Sequence, residues 1–421
     1  MKKILVVLLV AALGLASVGC GGGPMGTALA SEQPRAAADL DVADLSALVD
    51  GNTEFALALY DQLRDEDGDL FYSPLSISLA LAQAYAGASG KTAAEMAETL
   101  RFALPSADLH HAFNGLDQLL AARGEGAAGQ DGEGFRLNLV NAMWGQQDYR
   151  FLPEYLDTLA INYGAGLRLL DFASAPEASR QTINDWVSEQ TAERIQDLLP
   201  AGSIDPLTRL VLTNAIYFNA AWLHPFNAAA TVDGDFLGRD GTTSRKPLMS
   251  VTERFGYTAG PGYRAIALPY DGDELAMLVV VPDEGRFDEF EAGLDGAGLA
   301  AVREDLAVRR VRLTMPKFES AGEFSLKDTL AAMGMPSAFA DEADFSGITG
   351  DRSLVISEVV HTSFIAVDEA GTEAAAATGV VFRETAMVDE DPIELRIDRP
   401  FIYTIIDKET GTVLFLGRVV G

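Results

Sequence analysis

Cysteine is almost absent: Cys20 is the only one in 421 residues. No intrachain disulfide can form, so the fold must rest on a hydrophobic core, for which 48% hydrophobic residues are ample. Basic residues are scarce too, 31 Lys and Arg against 62 Asp and Glu, a formal charge of −31. That balance excludes nucleic acid, heparin-like polyanions and anionic membrane surfaces as direct partners, whereas a cationic protein would be steered towards the chain. Four histidines, His110, His111, His224 and His361, stand apart without HExxH or CxxC spacing, so neither a metal nor a cofactor is expected. His110-His111 reads as a solvated helix face. Gly124-Glu125-Gly126-Ala127-Ala128-Gly129 matches GxGxxG in letters only, since it follows a helical stretch and lacks the strand before and helix after that a phosphate cradle needs; it reads as a loop. Asp65-Glu66-Asp67-Gly68-Asp69 has neither calcium-loop spacing nor its terminal Glu and reads as a turn. With no GxSxG elbow either, the chain shows no nucleophile, base or metal set, which points to a binding or inhibitory protein, not an enzyme.

One apolar run is long, Ile4 to Leu15, and it is too short to cross a bilayer. After Met1-Lys2-Lys3 it reads as a secretory signal. It closes on Ser17-Val18-Gly19-Cys20, which resembles a lipobox apart from the missing Leu at its first position. The expectation is a lipoprotein-type signal peptide over 1–19 and acylation of Cys20. The protein would then be exported and lipid-anchored to the cell envelope or cell surface, facing the periplasm or the exterior, with membrane contact only through the lipid. Residues 20–45, rich in Gly, Ala, Pro and acids without apolar periodicity, read as a flexible tether, and the folded part is expected over 46–421.

Within it, Phe55, Leu59 and Leu63 give helical spacing over Asn52–Leu63, and Leu75–Tyr85 is apolar nearly all round, as a buried helix would be. Asp148–Tyr163 and Ala178–Leu199 read helical. Arg209–Phe218, Leu275–Val281, Val308–Met315 and Phe401–Leu416 read as strand. No repeat is apparent, and the mixture predicts one α+β domain on large sheets.

In chain order, several blocks are not generic. Leu70-Phe71-Tyr72-Ser73-Pro74-Leu75-Ser76-Ile77 comes first, and Thr208 to Phe218 leads on to Trp222 and Pro225-Phe226. Ile183-Asn184-Asp185-Trp186-Val187 and Asp197-Leu198-Leu199-Pro200 lie between those two, and Met315-Pro316-Lys317-Phe318, the block His361 to Thr378, Arg399-Pro400-Phe401 and Gly411 to Gly417 come after them. In these the folded region resembles the serpin family, and its Asp368-Glu369-Ala370-Gly371-Thr372-Glu373-Ala374-Ala375-Ala376-Ala377-Thr378 resembles the hinge of an inhibitory reactive-centre loop. The resemblance implies a serpin fold, a single domain with large β-sheets, surrounding helices and an exposed loop over about 369–391. It also implies that this loop is offered to a protease as a suicide substrate. Ser73, Ser76, Asn214 and His361 match the family's polar cluster beneath strands that part, and Trp222 lies where the loop first enters.

The hinge carries a physical signal of its own. Glu-Ala-Ala-Ala-Ala favours helix or linker. Yet alternate residues Thr372, Ala374, Ala376, Thr378, Val380 and Phe382 are uncharged, while the set between them carries Glu373 and Arg383 at its ends, the pattern of a half-buried strand. Small inward side chains can enter a packed sheet without overpacking it.

By the family's spacing from Glu369, the scissile bond falls at Thr385-Ala386; a slip of one or two residues would put Arg383 or Met387 there. The first choice suits an elastase-like or subtilisin-like serine protease, the others trypsin-like or chymotrypsin-like ones, and a cysteine protease is a further candidate. The segment Leu109–Arg123, where heparin-binding relatives carry basic residues, holds only Arg123. A monomer is expected. Two other readings remain open: a non-inhibitory serpin-fold binding protein, and a lipoprotein hydrolase with an unrecognised site.

Overall fold

The computed structural model describes residues 27–65, 67–125, 127, 136–191, 193–372 and 391–421, the side chains of 136–140 and Tyr217 excepted. In chain order the described elements are β1 (Thr27–Leu29), α1 (Val42–Leu63), β2 (Leu70–Tyr72), α2 (Pro74–Tyr85), α3 (Gly90–Thr99), α4 (Ser106–Ala121), β3 (Arg136–Gln146), α5 (Pro153–Tyr163), β4 (Leu167–Leu170), α6 (Pro176–Gln190) and β5 (Leu210–Ala221). Then come β6 (Val232–Leu237), β7 (Thr243–Gly260), β8 (Tyr263–Pro269), β9 (Leu275–Pro282), α7 (Phe287–Ala292), α8 (Gly296–Glu304), β10 (Ala307–Pro316) and β11 (Phe318–Ser325). The rest are α9 (Lys327–Met333), α10 (Ser346–Thr349), β12 (Ile356–Val367), β13 (Gly371–Thr372), β14 (Ile393–Arg396), β15 (Phe401–Asp407) and β16 (Val413–Val419).

The strands form two sheets, of order β1-β4-β3-β5-β13-β12-β11 and β14-β10-β7-β8-β9-β15-β16-β2, with β6 added to β7. Helix α2 is the hub between them, touching β3 and β5 of the first sheet and β16 of the second. Leu75 to Ala84 are all buried, as an all-round apolar helix requires, and Ser73 caps it by accepting the Ser76 N–H. The core is thus one α+β unit.

Several boundaries differ from the sequence reading. Helix α1 starts ten residues before Asn52, because the Asp41 carboxylate accepts the Ala43 and Asp44 N–H groups at 2.8 and 3.2 Å and so caps it early. The segment Phe401–Leu416 is not one strand. It divides into the antiparallel pair β15 and β16 at a turn where the Asp407 carboxylate accepts the Thr410 N–H at 2.7 Å. Helix α6 ends at Gln190, well short of Leu199. His110 is not solvated. It is 4% exposed, wedged between α4 and α5 with its Nδ1 2.6 Å from the Tyr163 hydroxyl, and burial holds its pKa down at about 4.

The supposed tether is the largest correction. From Thr27 it is docked: β1 pairs with the edge strand β4, and the Ala36 N–H donates to the Ile161 carbonyl at 2.8 Å. These contacts depend on partners over a hundred residues away, which local composition does not reveal.

A buried ion pair fastens the C-terminal strand. Arg418 donates to Glu291 at 2.8 Å and to the Arg64 carbonyl at 2.9 Å, while the Tyr60 hydroxyl donates to the same Glu291 oxygen at 2.7 Å. Arg418→Met leaves buried Glu291 only the Tyr60 hydroxyl and the longer Arg239 contact at 3.5 Å, and should cost about 3 kcal/mol in the first transition of guanidinium unfolding. A loss below about 1 kcal/mol would show the pair to be dispensable.

Candidate functional site

Strands β5 and β12 are the centre of the first sheet. They run parallel and are directly paired from Ile356 opposite Leu210 to Phe364 opposite Tyr217. Beyond that they part, and the gap is filled by β13, with Gly371 opposite Ala221 and Thr372 opposite both Ala220 and Val367. Strand β13 is antiparallel to both neighbours. A chain continuing past Thr372 in that direction would run down the line now closed by the β5–β12 pairing.

The site at the top of the gap is built by short side chains and a reverse turn. Asp368 turns the chain, its carboxylate accepting the Ala370 N–H at 2.8 Å and the Gly371 N–H at 3.2 Å. Gly371 has to be glycine: a Cβ there would lie 2.2 Å from the Ala220 carbonyl oxygen. Thr372 is fully buried, its hydroxyl 2.9 Å from that of Tyr270. Trp222 stacks on Tyr270 at 4.6 Å between ring centres and donates its indole N–H to the Asp368 carbonyl at 2.9 Å. Lys317 pairs with Glu369 at 2.7 Å and the Thr231 hydroxyl donates to the same carboxylate at 2.6 Å. Burial raises the Glu369 carboxyl, but these bonds outweigh it and hold the group below the usual range. Residues 369–372 are therefore packed into the body, where the sequence reading had the loop stand out from Glu369 onward; the lack of a side chain at Gly371 and the short one at Thr372 allow it.

Lower down, where β5 and β12 meet, lies a single polar cluster. His361 sits opposite Asn214 in register and is fully buried. Its Nε2 accepts the Ser73 N–H at 3.1 Å, which puts the ring proton on Nδ1, facing the Asn214 carbonyl oxygen. The Asn214 amide then donates to Ser76 Oγ and Asn141 Oδ1, and Ser73 Oγ donates to the Leu414 carbonyl at 2.7 Å. Four residues singled out in the sequence, Ser73, Ser76, Asn214 and His361, thus share one network that joins α2 to both strands. Trp222 belongs to the separate cluster above.

Sequence reasoning missed Asn141, Tyr270, Thr231 and the role of Lys317. Asn141 lies on β3, whose segment Leu137-Asn138-Leu139-Val140-Asn141-Ala142-Met143-Trp144 has the apolar alternation of a strand. The other three join the site only by folding. Cys20, Glu373, Ala374, Ala375, Ala376, Ala377 and Thr378, and the candidate scissile residues Arg383, Thr385, Ala386 and Met387, lie outside the described residues. Among the described residues no group of three or more His, Cys, Asp or Glu could hold a metal ion, and no helix is long and apolar enough to cross a membrane.

Two large sheets around a buried helix, with the start of a loop wedged between β5 and β12, make a serpin fold. The chain belongs to the serpin family: the model of the family described as Serpin (serine protease inhibitor) matches residues 50–421. It is 39% identical over 373 residues to a serpin-like protein of Thermococcus kodakarensis, covering 88% of this chain and 85% of that one. It is 37% identical over 379 residues to the leukocyte elastase inhibitor of Bos taurus, covering 87% and 97%. Among solved structures it resembles the thermophilic serpin tengpin in its native state, with a TM-score of 0.82 at 27% identity over 93% of this chain and 97% of that one. Human thyroxine-binding globulin complexed with thyroxine gives 0.79 at 30% identity over 90% and 99%.

Burial drives the pKa of His361 down to about 3, from an ordinary value near 6.5. The neutral ring therefore stabilises the fold fully above pH 6.5, and that contribution is lost as pH falls towards 3. His361→Asn should be less stable at pH 7, but its deficit should shrink by about 2 kcal/mol at pH 5, from about 1.4 kcal/mol per pH unit. Guanidinium unfolding of both proteins at the two pH values reads this; an unchanged deficit would mean that His361 is not held neutral.

Proposed function

We propose that the protein is an inhibitory serpin that traps a serine protease as a covalent acyl complex, without catalysing a reaction of its own. One observation carries the proposal: β13 already occupies the gap between β5 and β12, antiparallel to both, directly above the line the rest of the hinge would follow. The alternation of small uncharged residues from Thr372 to Thr378 supports the same path. The likeness to leukocyte elastase inhibitors supports a protease as partner.

In this mechanism the protease does the chemistry. Its nucleophile attacks the carbonyl carbon of Thr385, the Thr385–Ala386 amide bond breaks, the new amino group leaves with a proton from the protease's general acid, and an acyl bond joins the two chains. The freed hinge then inserts and carries the protease with it. Release needs water to attack the acyl carbon; distortion of the protease's oxyanion hole alone would slow this by about 10² to 10³. The uninserted state has to be kinetically held, its driving force the strand still to be added. An elastase-like or subtilisin-like enzyme is the favoured target, with Arg383 or Met387 as the alternative reactive residue and a cysteine protease as a further partner. The protein acts as a monomer, exported and held to the cell envelope by acyl chains on Cys20.

Mixing the chain from Gly21 with elastase, subtilisin, trypsin, chymotrypsin and a cysteine protease should give a denaturant-resistant adduct with at least one of them. A small C-terminal fragment should appear with it, starting at Ala386. Thr372→Arg or Ala374→Pro should convert the adduct to cleaved protein, because a charge or a missing N–H stops insertion at its first residues. Cleavage without an adduct across the panel would favour a non-inhibitory serpin; turnover that survives both substitutions would favour a hydrolase. For the anchor, Cys20→Ser should move the exported protein from the membrane fraction to the soluble fraction, and no change in partition would remove the lipid from the proposal.

A further inference from the structure

The N-terminal segment that precedes α1 is fixed on the body at one particular end of the first sheet. Thr27 lies opposite Leu169, Leu169 opposite Gly145, and Gly145 opposite Leu210, the first residue of β5. The hinge enters beside Ala220 and Ala221, at the other end of the same strand. Ten residues of strand separate these rows, about 33 Å. The chain before Thr27 therefore emerges at the pole opposite the loop.

The docking is specific along its length. Arg35 pairs with Asp117 at 2.6 Å and donates to the Asn114 side-chain oxygen at 2.8 Å, and the Ala36 carbonyl accepts from Asn114 and Gln118 at 3.1 and 3.0 Å. The Leu40 side chain fills the place that a Cβ on Gly115 would take, 2.3 Å from it. Such a seat on α4, α5 and β4 is built for this segment.

We propose that residues 27–41 hold the protein against a lipid surface by the pole opposite the loop, so that the loop points away from the membrane. The inference rests on the proposed acylation of Cys20. From Cys20 to Thr27 there are seven Cα steps, at most about 25 Å of chain whatever its conformation. A membrane lying against the loop pole would stand more than about 33 Å from Thr27, beyond that reach. With 27–41 undocked, the 22 steps from Cys20 to Val42 would span up to about 75 Å, and either pole could face the lipid. Docking, not length, sets the orientation.

The test uses the single thiol. The chain starting at Cys20 is coupled through that residue to a maleimide-bearing lipid in phosphatidylcholine vesicles carrying an acceptor dye, so the readout does not depend on acylation in the cell. Donor dyes go, by an unnatural amino acid, to Leu207, 76% exposed just before β5, or to Val232, 65% exposed beside the Thr231 that holds Glu369. Energy transfer to the membrane should be at least twofold stronger from position 207 than from 232. In Arg35→Glu/Leu40→Asp the ratio should fall to near one. Equal or stronger transfer from 232 in the parent chain would overturn the proposal even if that variant fails to fold. So would a ratio that the folded variant leaves unchanged. Neither result bears on protease trapping or on whether Cys20 is acylated in the cell, which the earlier experiments decide separately.

Discussion

Everything in the seven-stranded sheet depends on how β5 and β12 meet. They are paired in parallel over part of their length and held apart above by two residues of their own chain. A parallel pair is slightly weaker than an antiparallel one. Inserting a strand antiparallel to both would exchange one such ladder for two antiparallel ladders, a net gain in hydrogen-bonded pairs. Parting β5 from β12 breaks the His361–Asn214 contact and pulls α2 two ways, since the Ser73 N–H is bonded to His361 on β12 and Ser76 to Asn214 on β5, while Asn141 on β3 moves with Asn214. Each buried polar group left unpaired costs about 1–3 kcal/mol. The polar cluster is thus a barrier placed on the only line along which the proposed insertion can proceed.

The rest of the fold serves that line. Helix α2 carries Ser73 and Ser76 and touches both sheets, so the network cannot open without a shift of the most buried helix against β16. Above it, Trp222, Tyr270 and Lys317 do the opposite job and hold the first hinge residues inside the gap. In the proposed mechanism the first step of insertion is already made by Gly371 and Thr372, whose small size the site demands. The strand that the proposed insertion would add is the run of alternating small residues that follows them in sequence.

The sequence carried this unevenly. The burial of α2 was plain in Leu75 to Tyr85, because an all-round apolar helix has one environment open to it, and the α+β class followed from the mixture of segments. The grouping of Ser73, Ser76, Asn214 and His361 came from family resemblance; nothing in their spacing, spread over nearly three hundred residues, brings them together without the fold. His110 was misread because a helix face next to another His looks polar, whereas α5 covers it. The docked N-terminal segment was misread for a related reason: Gly, Ala and acids signal a tether in isolation, while Gly115, Asn114 and Asp117 on a distant helix make the seat.

That seat gives the molecule a polarity the insertion mechanism shares. In the proposed trapping reaction the hinge would travel from Ala221 towards Leu210, so a protease held at the end of the inserted strand would finish at the pole where Thr27 emerges. A docked, acylated chain leaves at most about 25 Å between that pole and the lipid. A protease of about 230 residues has a radius of gyration of about 17 Å and is wider than that gap. A membrane-held trap must therefore tilt, or release residues 27–41 from α4 and β4, before the protease arrives. The contacts that point the loop outward in the resting state are then the ones that have to yield when it closes.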